Sequence, residues 1–211
     1  DDILDWRSPN YLYQVKDNSM ALLLKNYKLS DDIAFRFSNK QWMEHPLTAE
    51  KITHWMNHNP HENDVINLFM DYETFGEHQW ESTGIFEFLR ALPTEIFKHQ
   101  DFGFATPFEV AHKFPVRGKI DAPYFYSWAD TERDLTAWMG NHLQDDALQT
   151  IYALESLVRE VGDAELDRTF RALLTSDHFY YMCTKWDADG DVHKYFNPYQ
   201  NPYDAYTNYQ R

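Results

Sequence analysis

Residues 64–80, DVINLFMDYETFGEHQW, are the stretch on which we base the prediction of the fold. Their first half, 65–70, is almost continuously apolar, which is typical of a short strand buried on both faces in a parallel sheet. The second half places three acids and one histidine within a few residues, namely Asp71, Glu73, Glu77 and His78. A buried strand that ends in such residues is typical of the catalytic rim of a β/α barrel, because strand ends hold side chains rigidly. Asp71 is therefore the first candidate for catalysis.

The composition indicates which kinds of partner the protein is expected to bind. The chain has 211 residues and a net charge of -15. Nucleic acids and anionic membranes both need a basic surface on the protein, so neither is expected as a partner, whereas a neutral substrate is compatible. The single cysteine, Cys183, cannot form an internal disulfide, so we expect a reducing compartment such as the cytoplasm. No apolar run approaches the ~20 residues of a membrane span.

Two further features of the sequence bear on its class. Aromatic residues make up 17% of the chain. Such rings can stack on the C–H faces of sugars, but composition alone favours the simpler interpretation that they pack inside an α/β domain. The chain begins with Asp1 rather than methionine, which is compatible with a processed product or a fragment of a longer protein.

Hydrophobic patterning predicts strand and helix units in the first half of the chain and helices in the second. Residues 1–19 read as an irregular connection. Strands are predicted at 20–25, at 65–70 and, with helix as an alternative, at 33–38, and residues 114–129 read as strand or loop. Helices are predicted at 48–57, at 85–92 with Pro93 as the stop, at 94–98, from 106, twice within 134–161 and once within 163–175. Two or three strands cannot close a barrel, so further strands lie outside this sequence or the fold is open.

Four stretches of the sequence resemble glycoside hydrolase family 57, specifically its α-amylase-like members. They are WRSPNY at 6–11, DYETFGEH at 71–78, ERDLTAW with GN at 132–141, and TSDHFYYM at 175–182. They follow the order of the family and span nearly the whole chain.

The resemblance implies an α/β fold, a partial or irregular (β/α)7 barrel over residues 1–130 followed by a helical region over 131–211. It implies action on α-glucans with retention of configuration, with no cofactor, and it makes Asp71 the general acid/base. The nucleophilic glutamate of the family lies shortly before the WRSPN segment, a position that would precede Asp1. Retaining glycosidases need two carboxyl groups about 5–5.5 Å apart, so we predict that the isolated chain is inactive and that a longer parent is active.

Several other residues are candidates for substrate binding. Glu73 would share a face with Asp71 if the strand continued past residue 70; a solvated loop acid is the alternative. For Trp80 and Trp138 the alternative is packing, and for His78 it is a loop histidine with satisfied hydrogen bonds. For the Asp177–His178 pair the alternative is a structural hydrogen bond. The full set of substrate-binding candidates is Glu73, His78, Trp80, Trp128, Asp130, Arg133, Trp138, Asn141, Asp177 and His178.

No metal site is predicted. His54, His58 and His61 have a spacing that resembles a ligand set, but no HExxH pattern is present and Pro60 is expected to end the helix before His61. Residues 187–191 resemble the start of a calcium loop but lack its closing glutamate, so a polar turn is the better interpretation.

Three alternative functions remain open on the sequence alone. A 4-α-glucanotransferase would use the same chemistry with a sugar as the acceptor, and a noncatalytic protein could retain the aromatic subsites for glucan binding. A deacetylase-like metal enzyme on a related barrel would be favoured if activity required a divalent ion. The sequence does not determine the oligomeric state.

Overall fold

The chain divides into two compact units, Asp1–Ala122 and Pro123–Arg211, and each is described by itself. The computed structural model describes residues 3–58, 63–127, 132–185 and 197–211. Within these ranges no helix is long and apolar enough to cross a bilayer.

The first unit contains a small mixed sheet in the order β2-β1-β3. Its strands are β1 Leu12–Val15, β2 Ala21–Leu23 and β3 Val116–Ile120. Strand β1 is antiparallel to β2, with Leu12 opposite Leu23, and parallel to β3, with Val15 opposite Ile120. The prediction of an irregular connection over residues 1–19 is wrong for β1, since Leu12 and Tyr13 are buried between the two neighbouring strands.

Four α-helices and two 3-10 turns complete the described part of the first unit. The helices are α1 Tyr27–Ala34, α2 Ala49–Asn57, α3 Ile85–Ile96 and α4 Pro107–Lys113, and the turns are Tyr72–Thr74 and Glu81–Thr83. Side-chain oxygens cap three of these helices at their first turn: Asn26 caps α1, Thr48 caps α2, and Thr106 forms a capping box with Glu109 at α4. Apolar residues of α1, α2 and α3 share one buried cluster, which includes Ile33, Ile52, Ile85 and Phe88.

Two predicted boundaries in this unit are wrong. Strand was predicted over 33–38, with helix as the alternative, and the helix alternative holds for Ile33 and Ala34, because Leu29 and Ile33 share the buried face of α1. Pro93 was expected to end a helix, yet α3 continues through it to Ile96. A proline removes one helical hydrogen bond, and the buried face that α3 packs against α2 offsets that loss.

The prediction of a strand at 65–70 is also wrong. This segment has neither helix nor strand, and it pairs with none of the three described strands. Ile66, Leu68 and Met70 lie against the helical core and Asn67 is buried, whereas Phe69 is 47% exposed. A ladder needs a neighbouring strand, and within the described residues this segment has helices and loops beside it instead.

The second unit is helical in its described part. Its helices are α5 Thr136–Met139, α6 His142–Ala153, α7 Glu155–Val161, α8 Ala164–Leu173, α9 Ser176–Tyr180 and α10 Pro202–Tyr209. Where two helices were predicted within 134–161 there are three, since the chain breaks at Gly140–Asn141 and again at Leu154. Their core includes Ala147, Ile151, Phe170 and Met182.

The fold is thus mixed α/β, with one small sheet and many helices. The three strands of the described ranges do not form a complete barrel.

Candidate active site

A network of buried polar side chains positions the segment that leads to Asp71. The Asn26 side chain donates to Asn10 Oδ1 over 3.0 Å, and the Asn26 backbone amide donates to the Asn67 carbonyl over 2.9 Å. The Asn67 side chain in turn donates to the Leu24 carbonyl over 3.0 Å. The hydroxyl of Ser30 donates to the Asn26 carbonyl over 2.7 Å. These bonds link residues 64–70 to the WRSPNY motif and to the start of α1.

The sequence analysis missed this network. Its one signal was Asn67, an amide in the middle of an apolar run, because a buried polar group requires hydrogen-bond partners. The structural role of Asn10, the asparagine of WRSPNY, likewise depends on a partner sixteen positions later in the chain.

Asp71 lies where this segment ends, with extended backbone and a half-buried side chain. Burial raises the pKa of its carboxyl group, and the nearby carboxylate of Glu73 raises it further, whereas His78 and Lys25 lower it. The net direction is upward, which favours the protonated acid at a higher pH than for an ordinary aspartate. A carboxyl group with this property can act as a proton donor.

The residues after Asp71 form a tight turn rather than more strand. The Asp71 carbonyl accepts from the Thr74 amide over 3.1 Å, and the Glu73 carbonyl accepts from the amides of Glu77 and His78. The Gln79 side chain donates to the Ala34 carbonyl over 2.9 Å, which fixes the turn to α1. The strand alternation that would place Asp71 and Glu73 on one face therefore does not apply, although electrostatics still couple the two carboxyl groups.

Three predicted binding residues of the first unit surround this turn. Glu73 is exposed, and Trp80 is 63% exposed. His78 is half-buried and close enough to Asp71 to affect its pKa, and its buried Nε2 atom has no hydrogen-bond partner among the described residues. Tyr72, which was not among the predictions, is 96% exposed next to Asp71.

In the second unit two of the predicted residues, Trp138 and Asn141, contact the end of α9 and the residues just after it. The Trp138 ring packs edge-on against Tyr180, with 5.7 Å between centroids. Asn141 caps α6 by accepting from the amides of Leu143 and Gln144, and its side-chain nitrogen donates to the Met182 carbonyl over 2.9 Å. Both polar atoms of the Asn141 side chain are thus used inside the fold.

The remaining candidates of the second unit are placed as follows. Asp177 and His178 are half-buried neighbours in α9, and the His178 ring lies 5.4 Å from that of Tyr209. Arg133 is exposed, with a left-handed backbone at φ 56°. Trp128 and Asp130 lie outside the described residues.

Gln144 was missed by the sequence analysis although it joins two of the motifs. It is fully buried, and its side-chain nitrogen donates to the carbonyls of Ala137 and Phe179 over 2.8 and 2.9 Å. Its side-chain oxygen accepts from the Gly140 amide over 2.8 Å. Gln144 therefore holds the backbone of α5, which carries Trp138, to the backbone of α9.

Within the described ranges, no group of three histidine, cysteine, aspartate or glutamate side chains could hold a metal ion. The rings of His54 and His58 stack with 4.0 Å between centroids. His61 and residues 187–191 lie outside the described residues.

The motifs at 6–11 and 71–78 lie in a stretch that matches a known protein family. Residues 1–123, more than half of the chain, match the sequence model described as Glycosyl hydrolase family 57. This chain belongs to glycoside hydrolase family 57. It is also 46% identical over 217 residues to a protein of Methanocaldococcus jannaschii named "Putative alpha-amylase", a match that covers 98% of this chain. The chain spans about half the length of that relative, 46%. No solved structure gives a significant match.

Proposed function

We propose that Asp71 is the general acid/base of a retaining α-glucan hydrolase whose nucleophilic glutamate lies on polypeptide outside these 211 residues. The observation that carries the proposal is the position of Asp71, half-buried at the end of a segment fixed by buried asparagines and next to the exposed ring of Tyr72. The upward shift in the pKa of its carboxyl group supports the same role. The name of the M. jannaschii relative points to the same class of substrate.

The proposed chemistry assigns Asp71 two successive roles. As a protonated acid it donates its proton to the leaving glycosidic oxygen while the nucleophile attacks the anomeric carbon. As a carboxylate it then accepts a proton from the water that hydrolyses the glycosyl-enzyme intermediate. The first role requires a proton near neutral pH, and burial together with the negative charge of Glu73 favours its retention.

Substrate contacts are proposed on both units. In the first unit Tyr72, which follows Asp71, and Trp80, at the far end of the turn, have exposed rings suited to stacking on sugar faces. Glu73 and His78 of the same turn supply hydrogen-bonding groups. In the second unit the proposed subsite residues are Trp128, Asp130, Arg133, Trp138, Asn141, Asp177 and His178. Because Asn141 is already bonded at both ends of its amide, its proposed part is to position its neighbours rather than to bind sugar.

We further propose that this chain forms part of an irregular (β/α)7 barrel followed by a helical region. Family membership supports the barrel, and the unclosed three-strand sheet of the described residues is compatible with a barrel that is completed elsewhere.

The proposal is tested by the release of reducing ends from amylose and maltooligosaccharides. We expect no products from the purified 211-residue chain and turnover by the longer parent polypeptide. In the parent, Asp71→Asn should abolish turnover, while Asp101→Asn, which removes an exposed carboxylate of the same unit, should not. Turnover by the 211-residue chain that disappears in Asp71→Asn would overturn the assignment of the nucleophile to other polypeptide. Calorimetric binding of maltooligosaccharide by the parent without turnover would instead favour a noncatalytic glucan-binding protein.

A further inference from the structure

The last residue of α10 joins two other helices of the second unit. The hydroxyl of Tyr209 donates to the Leu173 carbonyl, at the end of α8, over 2.9 Å. The ring of Tyr209 packs against two rings of α9, with 5.4 Å between its centroid and that of His178 and 5.5 Å to that of Phe179. Burial raises the pKa of the Tyr209 hydroxyl, which favours the neutral donor. Both the ring and the hydroxyl of Tyr209 are therefore fixed by the fold.

Helix α10 is itself anchored to α6. Ala205 is 2% exposed and belongs to the core of the unit. The hydroxyl of Tyr206 donates to Asp146 Oδ2 over 2.6 Å, and the Gln210 side chain donates to the same oxygen over 3.2 Å. Because Gln144 of α6 is also bonded to the backbone of α9, α9 and α10 are both held on α6.

The orientation of the His178 side chain depends on this packing. The side chain is half-buried, and neither ring nitrogen has a hydrogen-bond partner among the described residues. A side chain without such a bond can exchange between its staggered rotamers unless neighbouring atoms block it. Contact with the Tyr209 ring restricts that exchange. The nitrogens of the neutral imidazole stay available as one donor and one acceptor for a sugar hydroxyl.

We propose that Tyr209 is a positioning residue of the second unit, which holds the His178 imidazole in the orientation that hydrogen-bonds a glucan hydroxyl. The inference rests on the proposed function, because it takes His178 as a sugar-binding residue. Loss of the Tyr209 ring would increase the number of orientations open to His178, so the cost of ordering the imidazole would be added to substrate binding. Proton transfer by Asp71 belongs to the first unit and should change little.

Steady-state kinetics of the parent on maltooligosaccharides test this role. The cost of ordering one side chain corresponds to a loss of about three- to tenfold in affinity, so Tyr209→Leu should raise KM by that factor and leave kcat nearly unchanged. Tyr209→Phe keeps the ring and should retain the KM of the wild type. Tyr203→Leu is the matched control, because Tyr203 belongs to the same helix and is 65% exposed, and it should also leave KM unchanged.

A double-mutant cycle separates positioning from general stabilisation. His178→Ala should raise KM, and Tyr209→Leu should add nothing further in the His178→Ala background, since it acts only through that imidazole. An equal rise of KM in both backgrounds would overturn the inference, and so would a KM that neither variant changes while turnover continues. Failure of the proposed function would show differently, as absent turnover by the wild-type parent, and the inference would fail with it.

NMR of the 211-residue chain tests the contact without any glucan. Three-bond couplings to the Cγ atom of His178 report its χ1 rotamer, and they should indicate one rotamer in the wild type and in Tyr209→Phe. In Tyr209→Leu the same couplings should indicate an average over rotamers, and melting curves check that each variant is folded. A single rotamer in folded Tyr209→Leu would overturn the inference. A wild-type His178 that already averages over its rotamers would overturn it as well, and this outcome does not depend on the folding of any variant.

Discussion

The hydroxyl of Ser30 accepts a hydrogen bond of 3.1 Å from the backbone amide of Phe69. Ser30 is fully buried on α1, and the same hydroxyl donates to the Asn26 carbonyl. One small side chain therefore links the helix to the segment that ends at Asp71.

Ser30→Ala should lower the free energy of unfolding by about 1–3 kcal/mol, because it leaves the Phe69 amide without its partner. It should also speed hydrogen exchange at that amide. Ser156→Ala is the matched control, since Ser156 is exposed on α7, and its effect should stay within about 0.5 kcal/mol. Equal effects of the two variants in chemical denaturation would show that the bond does not stabilise the unit.

Asp71→Asn should stabilise the chain at neutral pH. The folded-state pKa of Asp71 lies above its ordinary value of 3.8, so between the two values the folded state binds more protons than the unfolded state. Stability therefore falls as the pH rises through this interval, and the loss is complete above the folded-state pKa. The asparagine side chain of the variant does not ionise, so the variant lacks this loss of stability. Its melting temperature should therefore exceed that of the wild type at pH 7 and converge with it below pH 3.8. A lower melting temperature at pH 7 would contradict the prediction.

The neighbours of Asp71 should move its pKa in opposite directions. Glu73→Gln removes a charge that raises the pKa of Asp71, so that pKa should fall, while His78→Ala removes a group that lowers it, so the pKa should rise. NMR titration of the Asp71 carboxyl carbon measures both shifts in the 211-residue chain. Glu81→Gln, a change at another exposed acid, serves as the control and should leave the pKa of Asp71 unchanged. In an active parent, Glu73→Gln should move the loss of activity at high pH to lower pH.

Asn141→Ala should lower the free energy of unfolding more than the same change at another helix cap. Loss of an asparagine cap costs about 1 kcal/mol, and Asn141 also loses its bond to the Met182 carbonyl, which brings the expected total to roughly 2 kcal/mol. Asn201→Ala is the control, because Asn201 caps α10 by accepting from the Asp204 amide and its remaining bond is exposed. Chemical denaturation of the two variants gives the comparison, and an equal loss would mean that the bond to Met182 contributes nothing.

Gln144→Met should destabilise the second unit by about 3 kcal/mol, because the buried carbonyls of Ala137 and Phe179 and the amide of Gly140 lose their partner at once. The near-ultraviolet circular dichroism of the Trp138–Tyr180 pair should weaken as α5 and α9 separate. Gln149→Met changes an exposed position of the same helix and should leave both signals near those of the wild type. An unchanged aromatic spectrum in a folded Gln144→Met variant would show that other contacts hold α5 and α9 together.

The sequence by itself determined the family, since the motifs at 6–11 and 71–78 lie in the stretch that matches it. It also determined most helices, including α2 and α4, because their caps and apolar periodicity are local properties of the chain. The sequence also identified Asp71 as the candidate catalytic residue.

Only the tertiary structure decided what surrounds those residues. Whether 65–70 is a paired strand depends on a neighbouring chain segment, which no local pattern supplies. The roles of Asn26, Ser30 and Gln144 depend on partners that are distant in the sequence or that only the fold brings within hydrogen-bonding distance. The raised pKa of Asp71 depends in the same way on burial and on the position of Glu73 after the turn, since desolvation and charge proximity are properties of the folded chain.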